Sequence, residues 1–191
     1  MPATFSIDPA SGVCREAQWC PSPHCNARPA ADDISLLVIH NISLPPRQFA
    51  TGCVQQFFAG KLEAERHPYF AEIAALRVSA HFFIERNGQL TQFVSCNERA
   101  WHAGQSCFAG REACNDYSIG IELEGCDDVP YAPAQYAALV ALTAAIQQAY
   151  PAISNARITG HEHIAPGRKT DPGAAFDWQG YRSALSQGEA P

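Results

Sequence analysis

The stretch Ile34-Ser35-Leu36-Leu37-Val38-Ile39-His40 limits the possible folds more than any other part of the chain. A strand with one wet face alternates apolar and polar residues. A near-continuous apolar run instead predicts a strand covered on both faces, at the centre of a layered sheet. Asn41 follows, and Pro45-Pro46 forbids continuation, so His40 falls at the end of that strand.

The remaining pattern supplies partners for this strand. Phe82-Phe83-Ile84 and Leu90-Thr91-Gln92-Phe93-Val94 flank Asn87-Gly88 and predict a β-hairpin over 80–94, whose two turn positions both want φ > 0. Tyr117, Ile119, Ile121 and Leu123 alternate with Ser118, Gly120, Glu122 and Glu124, which predicts a strand with one apolar and one polar face. Residues 133–150 carry Tyr136, Leu139, Val140, Thr143 and Ile146 at helical spacing between Pro133 and Pro151. Shorter signals predict a helix over 48–58 stopped by Gly60, a strand over 157–161, and a last helix over 177–185 starting near Asp177. The expected fold class is mixed α/β (α+β), a central mixed β-sheet flanked by helices. Residues 1–21 read as an irregular lead-in, 22–186 as a single domain and 187–191 as a tail.

Composition removes several function classes. A chain of 191 residues with a net charge of −6 lacks the clustered cations that bind nucleic acid. Its first residues do not read as a basic–apolar leader, and no apolar run comes near the ~20 residues a bilayer requires. The expectation is a soluble, cytoplasmic monomer with no nucleic-acid or membrane partner. Eight cysteines without a Cys-x-x-Cys pair argue against a cysteine-only zinc knuckle. In a reducing compartment they are expected as free thiols, with Cys53, Cys96 and Cys126 packed beside the sheet.

Chemistry concentrates at the strand ends. His40 and His161 both end predicted strands, and Asp171 lies in the loop Gly167-Arg168-Lys169-Thr170-Asp171-Pro172-Gly173. Two imidazoles and a carboxylate with one position left to water form a common catalytic zinc set. The same residues are also compatible with separate structural histidines and a turn-forming Asp. His163 would share a strand face with His161, either as a competing ligand or, the favoured reading, as a neighbour outside the ligand set. Glu122 is either a hydrogen-bonded structural carboxylate or a desolvated general base, and the structural reading is favoured for Glu124. Lys169 is either an oxyanion-stabilising cation or a solvated loop lysine. Trp101-His102 forms either a sugar-stacking wall or a packed pair, while Arg77 and Arg111 are either carboxylate clamps or surface charges. His24 and His67 read as structural.

Taken in order, the segments Leu37 to Pro46, Arg77-Val78-Ser79-Ala80-His81, Arg99-Ala100-Trp101-His102-Ala103-Gly104, Cys114 to Gly125, and Thr159 to Gly173 form one set. The chain resembles the zinc-dependent N-acetylmuramoyl-L-alanine amidases of the type-2 family, most of all members acting on 1,6-anhydro-muramyl peptides in peptidoglycan recycling. The resemblance covers about residues 22–182. It implies the fold shared with phage-type amidases and peptidoglycan-recognition proteins, with Zn2+ held by His40, His161 and Asp171. It implies Glu122 as acid/base, Lys169 as transition-state stabiliser, and a small soluble muropeptide as substrate. Asn41, Arg77, Trp101, His102 and Arg111 would contact that substrate. Ala113 departs from the arginine expected in close relatives, and Arg111 is the nearby substitute. The alternative is a non-catalytic muropeptide-binding module of the same fold. Such modules lose metal ligands, and here all five chemical residues are present.

Overall fold

A computed structural model describes residues 4–188. Six strands, β1 (Gln18–Trp19), β2 (Leu36–Ile42), β3 (Phe82–Ile84), β4 (Leu90–Gln92), β5 (Ser118–Glu124) and β6 (Ile158–Gly160), form one sheet in the order β6-β2-β5-β3-β4-β1. Five α-helices accompany it: α1 (Cys53–Phe58), α2 (Pro68–Ile73), α3 (Pro133–Ala149), α4 (His161–Ile164) and α5 (Trp178–Gly188). Only the β3–β4 hairpin is antiparallel; the other pairings within the sheet are parallel.

The apolar run does what its composition demands. β2 lies between β5 and β6, and Leu36 through Ile39 are fully buried. Its residues divide by parity. Leu37 and Ile39 join Ile119, Ile121 and Leu123 of β5 in a core shared with Leu139, Leu142 and Ile146 of α3 and with Tyr181 and Leu185 of α5. Leu36 and Val38 face the other way, against Ala103, Cys114, Tyr117 and Ile164. A third cluster joins Phe83 and Phe93 to Phe57 and Phe58 of α1 and Phe70 of α2.

Several expectations change for physical reasons. The polar face of β5 is not wet, because β2 and β3 flank the strand and loops cover it, and all seven residues are buried. The hairpin turn uses one left-handed residue rather than two. Gly88 has φ 85, its N–H donates to Glu85 O at 2.8 Å, and Glu85 N–H donates to Gln89 O at 3.0 Å. This is a type I turn finished by a glycine bulge. The helix expected over 48–58 starts only at Cys53, because Arg47, Ala50 and Gly52 all sit in the left-handed region after Pro45-Pro46. The strand expected over 157–161 ends at Gly160, and His161 opens a one-turn helix, so His163 turns to solvent instead of sharing a strand face.

Of the expected stripe of α3, Leu139, Thr143 and Ile146 are buried but Tyr136 and Val140 are only half-buried, and Gln135, Ala138, Leu142 and Ala145 complete the buried face. Gln135 is tolerated inside because its amide donates to Glu124 O at 3.0 Å and Ile84 O at 3.3 Å. The expected lead-in is not irregular. Ile7–Asp8 pairs with Val13–Cys14, and β1 extends the main sheet. Of the expected tail, residues 189–191 lie outside the described residues. Cys53 and Cys96 are buried as expected, whereas Cys126 is half-buried in the wall of a cavity.

Candidate metal centre and active site

Parallel pairing builds the site. Ile39 of β2 stands opposite Gly160 of β6, so the next residues, His40 and His161, emerge together from the same edge of the sheet. On the other side Glu122 of β5 stands opposite His40. Asp171 arrives from the loop after α4, which is tied down along its length. Lys169 N–H donates to Ala165 O at 3.0 Å and Glu162 N–H donates to Asp171 O at 2.9 Å. Pro172 O accepts from Tyr131 Oη at 2.8 Å and from Asn41 Nδ2 at 3.0 Å. Gly173 completes the return with φ 82, and a Cβ there would lie 2.2 Å from Asp127 Cα.

His40 Nδ1, His161 Nδ1 and Asp171 Oδ2 form a nearly equilateral triangle with sides of 3.0, 3.0 and 3.1 Å. Tetrahedral ligands on a small dication with bonds of about 2.0–2.1 Å stand about 3.3 Å apart, so the triangle has the size such an ion requires. The protons agree with this. His161 Nε2 lies 3.0 Å from Ala103 O and donates to it, which leaves the Nδ1 lone pair facing the triangle. Burial pushes the His40 pKa down to about 4, partly opposed by Asp171, so the ring is neutral at pH 7. Two imidazole nitrogens and one carboxylate oxygen therefore converge on one point, and a cation fits there.

Glu122 is buried, and its Oε2 has no hydrogen-bond partner among the described residues. Burial first, and then the charge of Asp171, push its pKa well above the ordinary carboxylate value, while Lys169 pulls it back. A carboxylate held this way takes up a proton more readily than an exposed one. Glu124, on the same strand face, is satisfied instead, accepting from Ala50 N–H at 2.6 Å and Arg86 N–H at 3.0 Å.

These groups open into a cavity of about 740 Å³. Its lining combines apolar Phe57, Phe58, Tyr69, Ile73 and Val78 with polar Arg47, Asp127, Asp128, Arg168 and Lys169. Trp101 lines the cavity with its Nε1 donating to Asn26 Oδ1 at 2.8 Å. Asn41 also lines it, but its amide braces Asp127 and Pro172. His102 has Nδ1 at 2.9 Å from His40 Nε2. Arg77 is exposed after α2 and lies outside the described lining. Arg111 is also outside it, paired with Asp33 at 2.6 Å and stacked 3.8 Å from the Tyr117 ring centroid. His67 caps α2 by accepting from Tyr69 N–H, and His24 stacks on Trp101. Arg47, Asp127, Asp128 and Tyr69 are lining residues that sequence reasoning missed, and no local pattern marks them. Arg168 had a signal, its place beside Lys169; its Nη2 donates to Ala103 O and Gln105 O, both at 2.6 Å.

Known proteins resemble this chain in sequence and in fold. Residues 30–174 match the family model described as N-acetylmuramoyl-L-alanine amidase. The 1,6-anhydro-N-acetylmuramyl-L-alanine amidase AmpD of Haemophilus influenzae is 58% identical over 172 residues, covering 90% of this chain and 92% of that protein. The crystal structure of a selenomethionine AmpD derivative superposes with a TM-score of 0.90 at 52% identity, covering 94% of this chain and 98% of the other. AmpDh3 from Pseudomonas aeruginosa, in complex with anhydromuramic pentapeptide, superposes with a TM-score of 0.64 at 28% identity, covering 82% of this chain and 61% of that one.

The return at Gly173 gives a test of how the loop is held. Gly173→Ala meets both the left-handed strain and the backbone of Asp127, whereas Gly167→Ala, at φ 77, meets open space. Gly167→Ala is expected to cost about 1 kcal/mol from strain alone. Gly173→Ala is expected to lower the melting temperature further, and thermal denaturation of the two variants compares them directly.

Proposed function

The chain belongs to the N-acetylmuramoyl-L-alanine amidase family, and we propose that it is a zinc amidase cutting the bond between the lactyl carbonyl of 1,6-anhydro-N-acetylmuramic acid and the L-alanine of the stem peptide. The observation that carries this reading is the placement of an unpartnered, buried Glu122 beside three converging ligand atoms in one open cavity. A binding module has no use for a carboxylate kept desolvated and unpaired, which favours catalysis over the binding-only alternative.

His40, His161 and Asp171 would hold the ion, a donor set that suits catalytic zinc. When bound, zinc supplies Lewis acidity, polarising a carbonyl and lowering the pKa of water to about 7. Glu122 takes the proton of the attacking water and later delivers it to the alanine nitrogen as the C–N bond breaks. Lys169, on the cavity rim, places a positive charge for the carbonyl oxygen as it becomes an oxyanion. Water is thus divided between a lactyl carboxylate and a free stem-peptide amine.

The cavity suits a small muropeptide, since its lining offers Trp101 and apolar side chains for the sugar and lactyl parts and cations for an acidic peptide. The net charge of −6 favours a small soluble substrate over a polyanionic wall. Eight free thiols suit a reducing compartment, the cytoplasm, and no helix among the described residues is long and apolar enough to cross a membrane.

Three outcomes test this. Glu122→Ala is expected to lose at least about 10²-fold in kcat on anhydromuramyl-L-alanyl peptides. Its zinc content, read by metal analysis, stays at the wild-type level, while His40→Ala loses zinc; wild-type turnover by Glu122→Ala would reject its role. The anhydro sugar is expected to be preferred, and equal kcat/KM on reducing-end muramyl peptides would reject that preference. The acid limb of kcat/KM follows ionisation of Glu122. Because Lys169 lowers that pKa, Lys169→Met lets it rise and moves the limb to higher pH, which a pH–rate profile measures.

A further inference from the structure

We propose that His102 is a positioning residue for His40, acting through its Nδ1 as a hydrogen-bond acceptor rather than as a wall for the sugar. The proposal rests on the reading of His40 as a metal ligand.

Proton counting along a row of side chains leads to it. A neutral imidazole has one N–H and one lone pair. For His40 Nδ1 to offer its lone pair to an ion beside His161 and Asp171, its proton must sit on Nε2. His40 Nε2 is 2.9 Å from His102 Nδ1, which then has to accept. The His102 proton is thereby placed on Nε2, 3.2 Å from Ser118 Oγ, which can accept it. The opposite assignment, with His102 Nδ1–H donating to His40 Nε2, would put a proton on His40 Nδ1 and aim it at the ion. The tautomer of His102 therefore selects the tautomer of His40.

The surroundings hold His102 in this role. The two rings are nearly perpendicular, at 85°, so the His102 lone pair meets the edge of His40. Gly120 of β5 makes room for the ring, since a Cβ there would lie 2.6 Å from His102 Cγ and Nδ1. The backbone N–H groups of His102 and Ala103 both donate to Asn115 Oδ1, at 3.1 and 2.8 Å. The Ala103 carbonyl in turn accepts from His161 Nε2 at 3.0 Å. One two-residue segment thus sets both imidazoles, one through a side chain and the other through a carbonyl.

The test is zinc affinity by chelator competition, which needs no amide turnover and so stays separate from the amidase reading. His102→Leu is expected to weaken zinc binding about 10–100-fold. His102→Asn, whose Oδ1 stands near the position of Nδ1 and can only accept, is expected to recover most of that loss. Wild-type affinity in His102→Leu, or an equal loss in both variants, would overturn the proposal. So would a raised KM in His102→Leu with zinc affinity unchanged, the pattern of a sugar contact. Should His102→Leu not fold, 15N-detected histidine spectra of the zinc-loaded wild-type protein decide. They are expected to show both His40 and His102 protonated at Nε2, and protonation of His102 at Nδ1 would overturn the assignment.

Discussion

The parallel pairing of β2 with β5 on one side and β6 on the other is the constraint from which the site follows. Parallel strands end on the same edge of a sheet, and loops leaving that edge converge over it. Here the convergence brings together His40, His161 and Glu122, residues far apart in the chain, without any loop having to find them. The strands themselves are buried on both faces and rigid, so the imidazoles inherit fixed Cα positions. Only Asp171 comes from irregular backbone, and that segment is fastened by hydrogen bonds from Tyr131, Asn41 and Glu162.

The polar atoms around this edge form a second layer that is nearly complete. Ala103 O accepts from both His161 and Arg168, so a single carbonyl links one imidazole to the loop that carries Lys169 and Asp171. Asn115 holds the same segment from behind. Such links transmit position rather than charge. A shift of Arg168 in the loop after α4 would be felt at His161 through the Ala103 carbonyl as well as at Asp171 in the same loop.

What the sequence could show depended on whether the signal was local. The β2 run was legible because seven consecutive residues carry it, and His40 was placed at the strand end by the prolines that follow. Asp171 and Lys169 stood out because they share one glycine- and proline-rich loop. The role of His102 was not legible, since its partner lies 62 positions away and is chosen by the approach of two loops and the missing side chain of Gly120. Arg111 was attractive as a clamp from its residue type alone, but Asp33 and Tyr117, which occupy it, are neighbours only in three dimensions. The late start of α1 had a similar cause. Left-handed Arg47 and Ala50 belong to no residue type that announces such a conformation.

Glu122 and Glu124 show what partner counting adds to pattern reading. They are the same residue type, two positions apart on one face of one strand, and both are buried. The sequence separates them by position, Glu124 lying near the strand end before Gly125, and by resemblance. In the structure Glu124 accepts two backbone N–H groups and ties together the segments before α1 and after β3, as a structural carboxylate should. Glu122 has an oxygen with no partner among the described residues, and it lines the cavity. Burying a carboxylate in that state works against folding, and a fold selected for stability alone would have no reason to keep it. The imbalance is useful only if the missing hydrogen-bond partner arrives with the substrate and its water, where a strong proton acceptor is wanted for one step and a donor for the next.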